Sequence, residues 1–413
     1  MQLRYIYSFL VWISSGILSM VALFSPKIKL FQQGRKNVFN QMERALGGKE
    51  NVIWMHVASL GEYEQGLPVL EKLKTEYPRH TFLLTFFSPS GYEVKKNSAP
   101  ADLVCYLPLD TLQNATRFIG IAKPKLAIFI KYEIWPNYLH TLKKNGIPTL
   151  MVSGMFYPKQ VFFKPWGAFM RKSLKTFHHF FVQNETSKKL LNQIGLESVT
   201  VNGDTRFDRV AAILDGDNHL DFMDTFKQDT LCIVAGSTWP EDIAVLLPFL
   251  NQYEGDVKWV IAPHTIKPEA IEKLQVQIKK PTVTYSKMNG KDVSKADVLI
   301  VDTVGLLTKI YSYANIAYVG GGFATGLHNT LEPAVFGIPV LIGPRYKGFN
   351  EAETLVQAKG IISIASKEEL EEILLKLLKN PGFQKETGQI NANLLQSSRG
   401  ATEEVIRYVK TIL

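Results

Sequence analysis

WMHVASLGEYEQGLPVLEKL, residues 54–73, decides the fold of the first half of the chain. Its apolar opening is typical of a buried strand, and its later apolar residues recur at helical spacing. Between them lies a loop of small residues that carries Ser59 and Glu62, three positions apart. This spacing is typical of a capping box, in which the Glu side chain accepts a hydrogen bond from the N-cap backbone. Two interpretations of Glu62 are therefore open: a structural cap, or a carboxylate held at a strand end to remove a proton.

The same alternation of strand and helix patterns continues through the chain and starts a second time near residue 230. Short apolar runs bounded by turn residues are typical of buried parallel strands. The runs are NVIWMHVA, TFLLTFF, ADLVCYLPL, KLAIFIKYE, PTLMVSGMF and HFFVQN in the first series, and TLCIVAGST, VKWVIAPH, ADVLIVDT, NIAYVGGG and IPVLIGP in the second. The β-α-β-α order predicts two open α/β lobes, with a site in the cleft between them.

The domain boundaries follow from these patterns. Residues 1–45 are predicted to form a membrane anchor with a basic juxtamembrane segment, and residues 46–210 the first α/β domain. The polar, Asp-rich residues 211–229 are predicted to be a linker, and residues 230–413 the second α/β domain.

The N-terminal stretch YIYSFLVWISSGILSMVALF, residues 5–24, contains no charged residue. Twenty helical residues span about 30 Å, which matches the hydrocarbon core of a bilayer. Lys27, Lys29, Arg35 and Lys36 follow the stretch, so the positive-inside rule places the bulk of the protein in the cytoplasm. Four serines and a glycine also allow a helix that lies in the membrane interface, and a cleaved signal peptide or a buried helix would have a similar pattern.

The composition restricts the class of partner. The formal net charge is +9 over 413 residues, which fits nucleic acid, an anionic membrane surface or an acidic substrate. The sequence has no signature of an RNA-binding module, so nucleic acid is not expected. Cys105 and Cys232 are the only cysteines and both lie in apolar runs, which indicates buried thiols rather than a disulfide framework or a zinc site.

The second half contains a glycine-rich strand-to-helix stretch, ANIAYVGGGFATGLHNTLEPAVFGIPVLIGP, residues 314–344. Glycines at 320–322 either let backbone amides approach an anion or serve packing alone. Asn329 or Thr330 is predicted to cap the next helix, and Glu332 could accept hydrogen bonds from ribose hydroxyls. The pattern is neither a dinucleotide fingerprint nor a P-loop.

Two further strand ends in this half carry polar residues. In AGSTWPED, Ser237 or Thr238 is expected to cap a helix, with Glu241 or Asp242 as the partner. In APHTIKPE, His264 follows the end of another strand. Three polar junctions at one edge of a sheet indicate a ligand site more strongly than any one of them.

The first half carries two more candidate residues. Glu133 lies between aromatic residues in IKYEIWPNYL, where partial desolvation would suit acid–base work, although an exposed turn carboxylate would also fit. Arg206 lies between Asp204 and Asp208 in NGDTRFDRV, where a local ion-pair cluster is equally open. Two carboxylates and an arginine fit a transferase, in which one carboxylate deprotonates a hydroxyl and a cation stabilises a departing phosphate.

Six motifs in order give the chain a resemblance to a known family. They are SLGE at 59–62, EIWPN at 133–137, GDTRFDR at 203–209, AGST at 235–238, HNTLEPAVFG at 328–337 and GP at 343–344. Together they resemble the Kdo transferases, which move 3-deoxy-D-manno-oct-2-ulosonic acid (Kdo) from CMP-Kdo to the glucosamine disaccharide of a lipid A precursor of the lipid IVA type, in lipopolysaccharide assembly.

The resemblance implies a GT-B fold, with two Rossmann-like domains facing across a cleft, and an inverting transfer that needs no metal and no cofactor. It implies that Glu62 is the general base and that Glu133 and Arg206 stabilise the transition state. The family often has Lys where Arg206 stands and Arg where His264 stands. The implied CMP-binding residues are Pro263, His264, Gly305, Leu306, Asn329, Thr330, Leu331 and Glu332, with Ser237 and Thr238 as further candidates.

The implied partners are CMP-Kdo, the lipid A precursor and the anionic lipid surface of the inner membrane, with the catalytic domains on the cytoplasmic side. Two different functions are still open at this point. One is that of another GT-B enzyme that uses a UDP-sugar, as a transferase or an epimerase. The second is that of a membrane-tethered binding protein without catalysis.

Overall fold

The computed structural model describes residues 2–288 and 292–413, which divide into two compact units. The first unit runs to Arg209 and resumes at Arg399–Leu413, and the second is Val210–Ser398. Each unit contains one seven-stranded parallel sheet, which confirms the two α/β domains expected from the sequence.

Fourteen strands form the two sheets. In the first unit they are β1 (Val52–Val57), β2 (Thr81–Phe86), β3 (Leu103–Tyr106), β4 (Pro124–Ile130), β5 (Thr149–Gly154), β6 (His179–Val182) and β7 (Val199–Val201). In the second unit they are β8 (Leu231–Thr238), β9 (Val257–Pro263), β10 (Thr282–Thr284), β11 (Val298–Ile300), β12 (Ile316–Val319), β13 (Val340–Ile342) and β14 (Ile361–Ser363).

Helices connect the strands. In chain order they are α1 (Gln2–Val21), α2 (Pro26–Gln33), α3 (Val38–Leu46), α4 (Leu60–Glu76), α5 (Pro89–Lys95), α6 (Leu112–Ala122), α7 (Pro136–Lys144), α8 (Ala168–Leu174), α9 (Glu185–Gln193), α10 (Arg206–Asp215), α11 (Asp221–Lys227), α12 (Pro240–Gln252), α13 (Pro268–Gln277), α14 (Leu307–Ile310), α15 (Leu331–Ala334), α16 (Asn350–Gln357), α17 (Lys367–Lys379), α18 (Pro381–Ser397) and α19 (Ala401–Val409).

The strand order places one topological switch point in each sheet. The first sheet runs β3-β2-β1-β4-β5-β6-β7, and the second β10-β11-β9-β8-β12-β13-β14. The order reverses between β1 and β4 and again between β8 and β12. Ligands of open α/β sheets bind beyond the carboxyl ends of the strands at such points. The ends of these four strands are therefore where each unit is expected to carry its site.

Helices cover both faces of each sheet, so the central strands are buried on both sides. In β1, Ile53, Met55 and Val57 pack on one face, while Trp54 packs on the other against α6 and α7. This alternation follows from the two-residue period of a strand. His56 shares the face of Trp54 and is fully buried.

Two features differ from the domain boundaries predicted from the sequence. Residues 211–229, predicted to be a linker, contain the end of α10 and all of α11. The last helix, α19, belongs to the first unit rather than to the second. Asp208 holds it there by accepting hydrogen bonds from the backbone N–H of Gly400 at 2.6 Å and of Thr402 at 2.7 Å.

The N-terminal helix has an apolar, exposed surface. Among the described residues, one helical segment, Leu3–Val21 in α1, is long and apolar enough to cross a membrane, with a mean hydropathy of 1.3. Its large apolar side chains include Phe9, Trp12 and Met20, all more than half exposed.

Candidate active site

The switch point of the first sheet carries two carboxylates. Glu62 lies in the first turn of α4, directly after β1, and Glu133 follows β4. Because β1 and β4 are parallel neighbours, their carboxyl ends lie side by side. The structure therefore places the two acids at one edge of the sheet, where the charge of Glu133 acts on Glu62.

Glu62 folds back onto the loop that precedes its helix. Ser59 is the N-cap of α4 but its side chain makes no capping hydrogen bond. The Glu62 carboxylate instead accepts a hydrogen bond from the backbone N–H of Ala58, and the Ser59 amide also stabilises its charge. The capping interpretation of Glu62 thus describes its contacts, although the reciprocal Ser59 bond of a full capping box is missing.

Burial and a neighbouring negative charge oppose the effect of these contacts on the pKa of Glu62. Its exposed fraction is 7%. Burial and the nearby charge of Glu133 raise the pKa of Glu62 to about 7, against the lowering effect of Lys131 and the two amides. A carboxylate with a pKa near the working pH is an effective general base, so the capping and catalytic interpretations are compatible.

Glu133 is held by aromatic and imidazole neighbours. Lys131, just after β4, has a left-handed backbone with a φ of 68°, which turns the chain sharply before Glu133. The Glu133 carboxylate Oε2 accepts a hydrogen bond from Trp135 Nε1 at 3.1 Å and lies 3.5 Å from His56 Nε2. Its side chain is 12% exposed, so the carboxylate is mostly desolvated rather than an exposed turn acid.

Arg206 is tied to α4 through a carboxylate. Its Nε and Nη2 lie 3.0 and 2.7 Å from Asp204 Oδ2. Asp204 Oδ2 also accepts a hydrogen bond from Gln65 Nε2 at 3.0 Å, and Gln65 lies one turn after Glu62. The ion-pair interpretation is therefore observed, and the pair also links the guanidinium to the helix that carries Glu62.

The second sheet carries the predicted nucleotide residues at its own switch point. Ser237, near the end of β8, has a left-handed backbone with a φ of 54°. Thr238 and Thr330 are 3% and 1% exposed, and within residues 2–288 and 292–413 neither hydroxyl has a hydrogen-bond partner. Pro263 ends β9, and the His264 backbone N–H donates to the Thr238 carbonyl at 2.9 Å.

The remaining predicted nucleotide residues lie around two short helices. Glu332 accepts hydrogen bonds from Asn329 Nδ2 at 2.9 Å and from Thr308 Oγ1 at 2.8 Å, so both its oxygens are in use. Asn329 Oδ1 accepts the Leu331 N–H at 3.1 Å, although Thr330 is the N-cap of α15. Gly305, with a φ of 97°, and Leu306 precede α14, and Leu331 is buried.

Two histidines and a tryptophan form a cluster at the same edge. The His264 ring stacks on Trp239 with centroids 4.5 Å apart and an interplanar angle of 14°. Trp239 Nε1 donates to His328 Nε2 at 3.0 Å. Burial and the nearby His264 lower the pKa of His328. His328 is therefore a neutral acceptor for the indole N–H.

At this edge one local expectation needs correction, and one open alternative gains support. The cap of α12 is Trp239, not Ser237 or Thr238, because the Trp239 N–H donates to Asp242 Oδ2 at 2.8 Å. The glycines of the glycine-rich stretch serve close packing, since a Cβ on Gly320 would collide with the Ser237 carbonyl oxygen. The packing interpretation of these glycines is thus supported directly.

Sequence reasoning missed His56 and His328. Each contacts an indole N–H at 3.0 Å, His56 with Trp135 and His328 with Trp239. The available signal for His56 was the strand period, which places it beside Trp54 on a buried face. No comparable signal marks His328, because its neighbours come from separate strand ends.

One group of potential metal ligands comes together in the part of the chain that the structure describes: His219, Asp221 and Asp224, all exposed. The ring nitrogens of His219 contact the two carboxylates at 2.8 and 3.2 Å. This group lies outside the residues predicted to act in catalysis.

Comparison with known proteins finds one family along the chain. The family described as 3-deoxy-D-manno-octulosonic-acid transferase (kdotransferase) matches residues 33–209. A Kdo transferase of Haemophilus influenzae is 26% identical over 428 aligned positions, covering 99% of both chains. One of Aquifex aeolicus is 29% identical over 344, covering 81% of this chain and 88% of the relative. The chain is thus similar to Kdo transferases over most of its length. The matched residues end at Arg209 and include Glu62, Glu133 and Arg206.

Solved structures similar to this chain show its fold. UDP-GlcNAc 2-epimerase from Neisseria meningitidis is 17% identical with a TM-score of 0.61, covering 88% of this chain and all of that one. MurG of Acinetobacter baumannii is 13% identical with a TM-score of 0.54, again covering 88% of this chain and 100% of that chain. Both likenesses are of fold alone, and the fold is GT-B.

Proposed function

We propose that this protein transfers Kdo from CMP-Kdo to the glucosamine disaccharide of a lipid A precursor. The observation that carries the proposal is Glu62, a buried acid whose pKa is raised to about 7 beside Glu133, within the residues that match the Kdo transferase family. An acid with this pKa is partly ionised at neutral pH and can accept a proton from a hydroxyl.

In the proposed reaction, the acceptor hydroxyl oxygen attacks the anomeric carbon of Kdo and loses its proton to Glu62. The bond from that carbon to the phosphate oxygen of CMP breaks, and CMP leaves with the electron pair. Attack from the opposite face inverts the anomeric centre. The leaving group is already a stabilised phosphate, so the reaction needs no strong acid.

Glu133 and Arg206 are proposed to stabilise charge during the transfer. The electron-poor anomeric carbon favours a nearby carboxylate, and the Arg206 guanidinium favours the developing negative charge. Asp204 and Gln65 hold this guanidinium in place, which limits the reorganisation needed at the moment of reaction.

The second unit is proposed to bind the CMP part of the donor. Thr238 and Thr330 support this, because a buried hydroxyl without a partner is unfavourable and a bound nucleotide would supply one. The Trp239–His264 stack supports it too, since it offers a flat aromatic surface at the same sheet edge. The remaining predicted donor residues, from Gly305 to Glu332, are proposed on the family resemblance.

The protein is proposed to lie on the cytoplasmic face of the inner membrane. The Asn137 side chain of α7 forms hydrogen bonds with two residues in the first turns of α1. It lies 3.2 Å from Arg4 Nε and 3.0 Å from Ser8 Oγ. Farther along, Gln32 of α2 contacts the Ser15 carbonyl at 3.4 Å and Ser19 Oγ at 2.8 Å. The four α1 positions lie on one helix face, which is tied to the first unit along its length.

The opposite face of α1 is apolar and exposed, and consists of Ile6, Phe9, Ile13, Ile17 and Met20. If the helix spanned the bilayer, Arg4 would lie about 30 Å from the cytoplasmic surface and would lose Asn137. A helix in the membrane interface keeps these bonds and buries the apolar face in lipid, with Lys27 and Lys29 near anionic headgroups.

Mass spectrometry of a lipid A precursor incubated with CMP-Kdo and the protein tests the function. A product heavier by one or more Kdo units is expected, and the number of added units is read from the same spectrum. Parallel reactions with UDP-sugars test the alternative GT-B activity. A mass gain or epimerised product with a UDP-sugar only, or binding of CMP-Kdo without turnover, would overturn the proposal.

A further inference from the structure

His56 is a buried polar residue whose ring nitrogens both have polar neighbours. It is fully buried near the end of β1, on the face that packs against Phe129 and Trp135. An apolar residue would fill this space without the desolvation penalty of an imidazole. The polar neighbours of the ring therefore indicate why a histidine, and not an apolar residue, occupies this buried position.

The first ring nitrogen faces a hydroxyl on the neighbouring strand. His56 Nδ1 lies 2.8 Å from Thr85 Oγ1, and the two residues are direct partners across β1 and β2. Thr85 Oγ1 also accepts a hydrogen bond from Trp54 Nε1 at 2.8 Å. The Thr85 hydroxyl donates to the Met55 carbonyl at 3.5 Å, so His56 Nδ1–H can donate to Thr85 Oγ1, which leaves Nε2 as an acceptor.

The second ring nitrogen faces the active-site carboxylate. His56 Nε2 lies 3.5 Å from Glu133 Oε2 and 3.0 Å from Trp135 Nε1. The Trp135 indole N–H donates to His56 Nε2 and also to Glu133 Oε2, at 3.1 Å. The imidazole acceptor therefore fixes the direction in which this donor faces the carboxylate.

We propose that His56 is a positioning residue for the transfer reaction, which holds the ionised Glu133 carboxylate beside Glu62. This inference rests on the proposed function of the site. A series of hydrogen bonds links Trp54, Thr85 and His56 to the Trp135 indole, and that indole N–H donates to Glu133. His56 itself does not touch a substrate.

The position of the Glu133 carboxylate affects the pKa of Glu62. The charged or titratable groups that act on Glu62 are Glu133, Lys131 and Tyr132, all from the segment after β4. Of these, the negative charge of Glu133 raises the pKa of Glu62, and Lys131 lowers it. If Glu133 swings away, the repulsion falls and Glu62 loses its proton at lower pH. A change at His56 is therefore measurable at a residue that it does not contact.

Two substitutions separate positioning from packing. In His56→Gln the amide oxygen can take the place of Nε2 as acceptor of the Trp135 N–H, whereas the shorter side chain of His56→Asn retains only the contact near Nδ1. We expect His56→Asn to lose about tenfold in kcat, because the acceptor that directs the Trp135 N–H toward Glu133 is lost. The acid limb of the pH–kcat profile of His56→Asn should move to lower pH by about half to one unit. His56→Gln should restore both values to within about threefold of the parent.

A histidine on another strand of the same sheet provides the matched control. His179 Nε2 lies 2.9 Å from Thr200 Oγ1, which is the same kind of imidazole–hydroxyl contact, away from both acids. His179→Asn should leave kcat and its pH profile unchanged. Equal losses of kcat in His56→Asn and His56→Gln, with an unmoved acid limb in both, would show a packing role and overturn the inference.

A titration that does not depend on turnover separates this inference from the proposed function. Carbon-13 NMR of protein labelled at the Glu carboxyl carbons follows Glu62, with Glu62→Gln to identify its signal. A lower Glu62 pKa in His56→Asn supports the inference even if the parent transfers no Kdo. An unchanged Glu62 titration overturns it even if the parent is active. If His56→Asn does not fold, Thr85→Val removes the hydroxyl that orients the ring and should move Glu62 in the same direction.

Discussion

The two units use the same pair of side chains at their switch points and surround it differently. In the first, Trp135 Nε1 lies 3.0 Å from His56 Nε2, and in the second, Trp239 Nε1 lies 3.0 Å from His328 Nε2. Trp239 directly follows β8, Trp135 lies in the segment between β4 and α7, and both histidines accept a hydrogen bond from an indole N–H. The pair alone therefore does not determine what either edge does.

The third member of each group makes the difference. In the first unit it is Glu133, and its negative charge helps to raise the pKa of Glu62 to about 7. In the second unit it is His264, which stacks on Trp239 and helps to lower the pKa of His328. One edge thus carries an acid of raised pKa, while the other carries a stacked pair of flat rings. A single neighbour sets the chemistry of an otherwise similar arrangement.

The largest expected effect comes from Glu62→Gln, which keeps the size of the side chain and an acceptor for the Ala58 N–H. The variant should lose about 10² to 10⁴ in kcat, because general-base catalysis is worth that much. Its affinity for CMP should be unchanged, because the proposed CMP residues lie in the other unit. Steady-state kinetics with CMP-Kdo, and calorimetry with CMP, check both parameters. Glu64→Gln, on the same helix, is the matched control, and parental activity in Glu62→Gln would contradict the assignment.

The pH profile tests the effect of Glu133 on Glu62. Activity should rise with pH through about 7, as Glu62 loses its proton and becomes a base. Glu133→Gln removes a negative charge, which lowers the pKa of Glu62, so the acid limb of kcat/KM should move to lower pH by about one unit. The profile is measured between about pH 5 and pH 9. If the acid limb of Glu133→Gln does not move, the charge of Glu133 does not raise the pKa of Glu62, and burial is the cause.

Paired substitutions of the two tryptophans test the comparison itself. Trp135→Phe and Trp239→Phe each remove an indole N–H and keep an aromatic ring. Trp135→Phe should lower kcat by about tenfold and leave CMP affinity unchanged, whereas Trp239→Phe should weaken CMP binding by about threefold and spare kcat. Kinetics and CMP calorimetry separate the two. Trp166→Phe, at an exposed site, serves as the control. If Trp135→Phe and Trp239→Phe both changed kcat, or both changed CMP affinity, the proposed difference between the two units would be wrong.

The smallest expected effect concerns a buried hydroxyl in the second unit. If CMP supplies the missing partner of Thr330, Thr330→Val should weaken CMP binding by about fivefold. The melting temperature of the free protein should not fall, because the hydroxyl has no partner to lose within residues 2–288 and 292–413. Thr284→Val removes a second buried hydroxyl without a partner, outside the proposed CMP residues, and should not change CMP affinity.

Much of the fold could be predicted because the central strands are buried on both faces and appear as apolar runs. The strands that sequence reasoning missed are Val199–Val201, Thr282–Thr284 and Ile361–Ser363. Each has three residues and lies at a sheet edge, so it is too short to show a period or a sustained apolar run. The helix Pro381–Ser397 was missed because its polar surface hides the few buried positions.

The candidate site was only partly predictable, for a physical reason. Glu62, Glu133 and Arg206 lie in local motifs, so the family resemblance could assign them roles. His56 acquires its importance only when the sheet brings the ends of β1 and β4 together. Local rules also misplaced the cap of α12, because Trp239 uses its backbone N–H rather than a side-chain oxygen.

The final helix of the chain determines how the acid-bearing unit can be studied alone. Val405, Ile406 and Val409 fill the side of the sheet that also holds Ile53 and Leu70. A fragment that ends at residue 209, where the matched family region ends, would expose this apolar surface to solvent, and we expect it to aggregate. Joining residues 399–413 to such a fragment through a short glycine–serine linker should restore a soluble first unit in which the ionisation of Glu62 can be followed without the second unit.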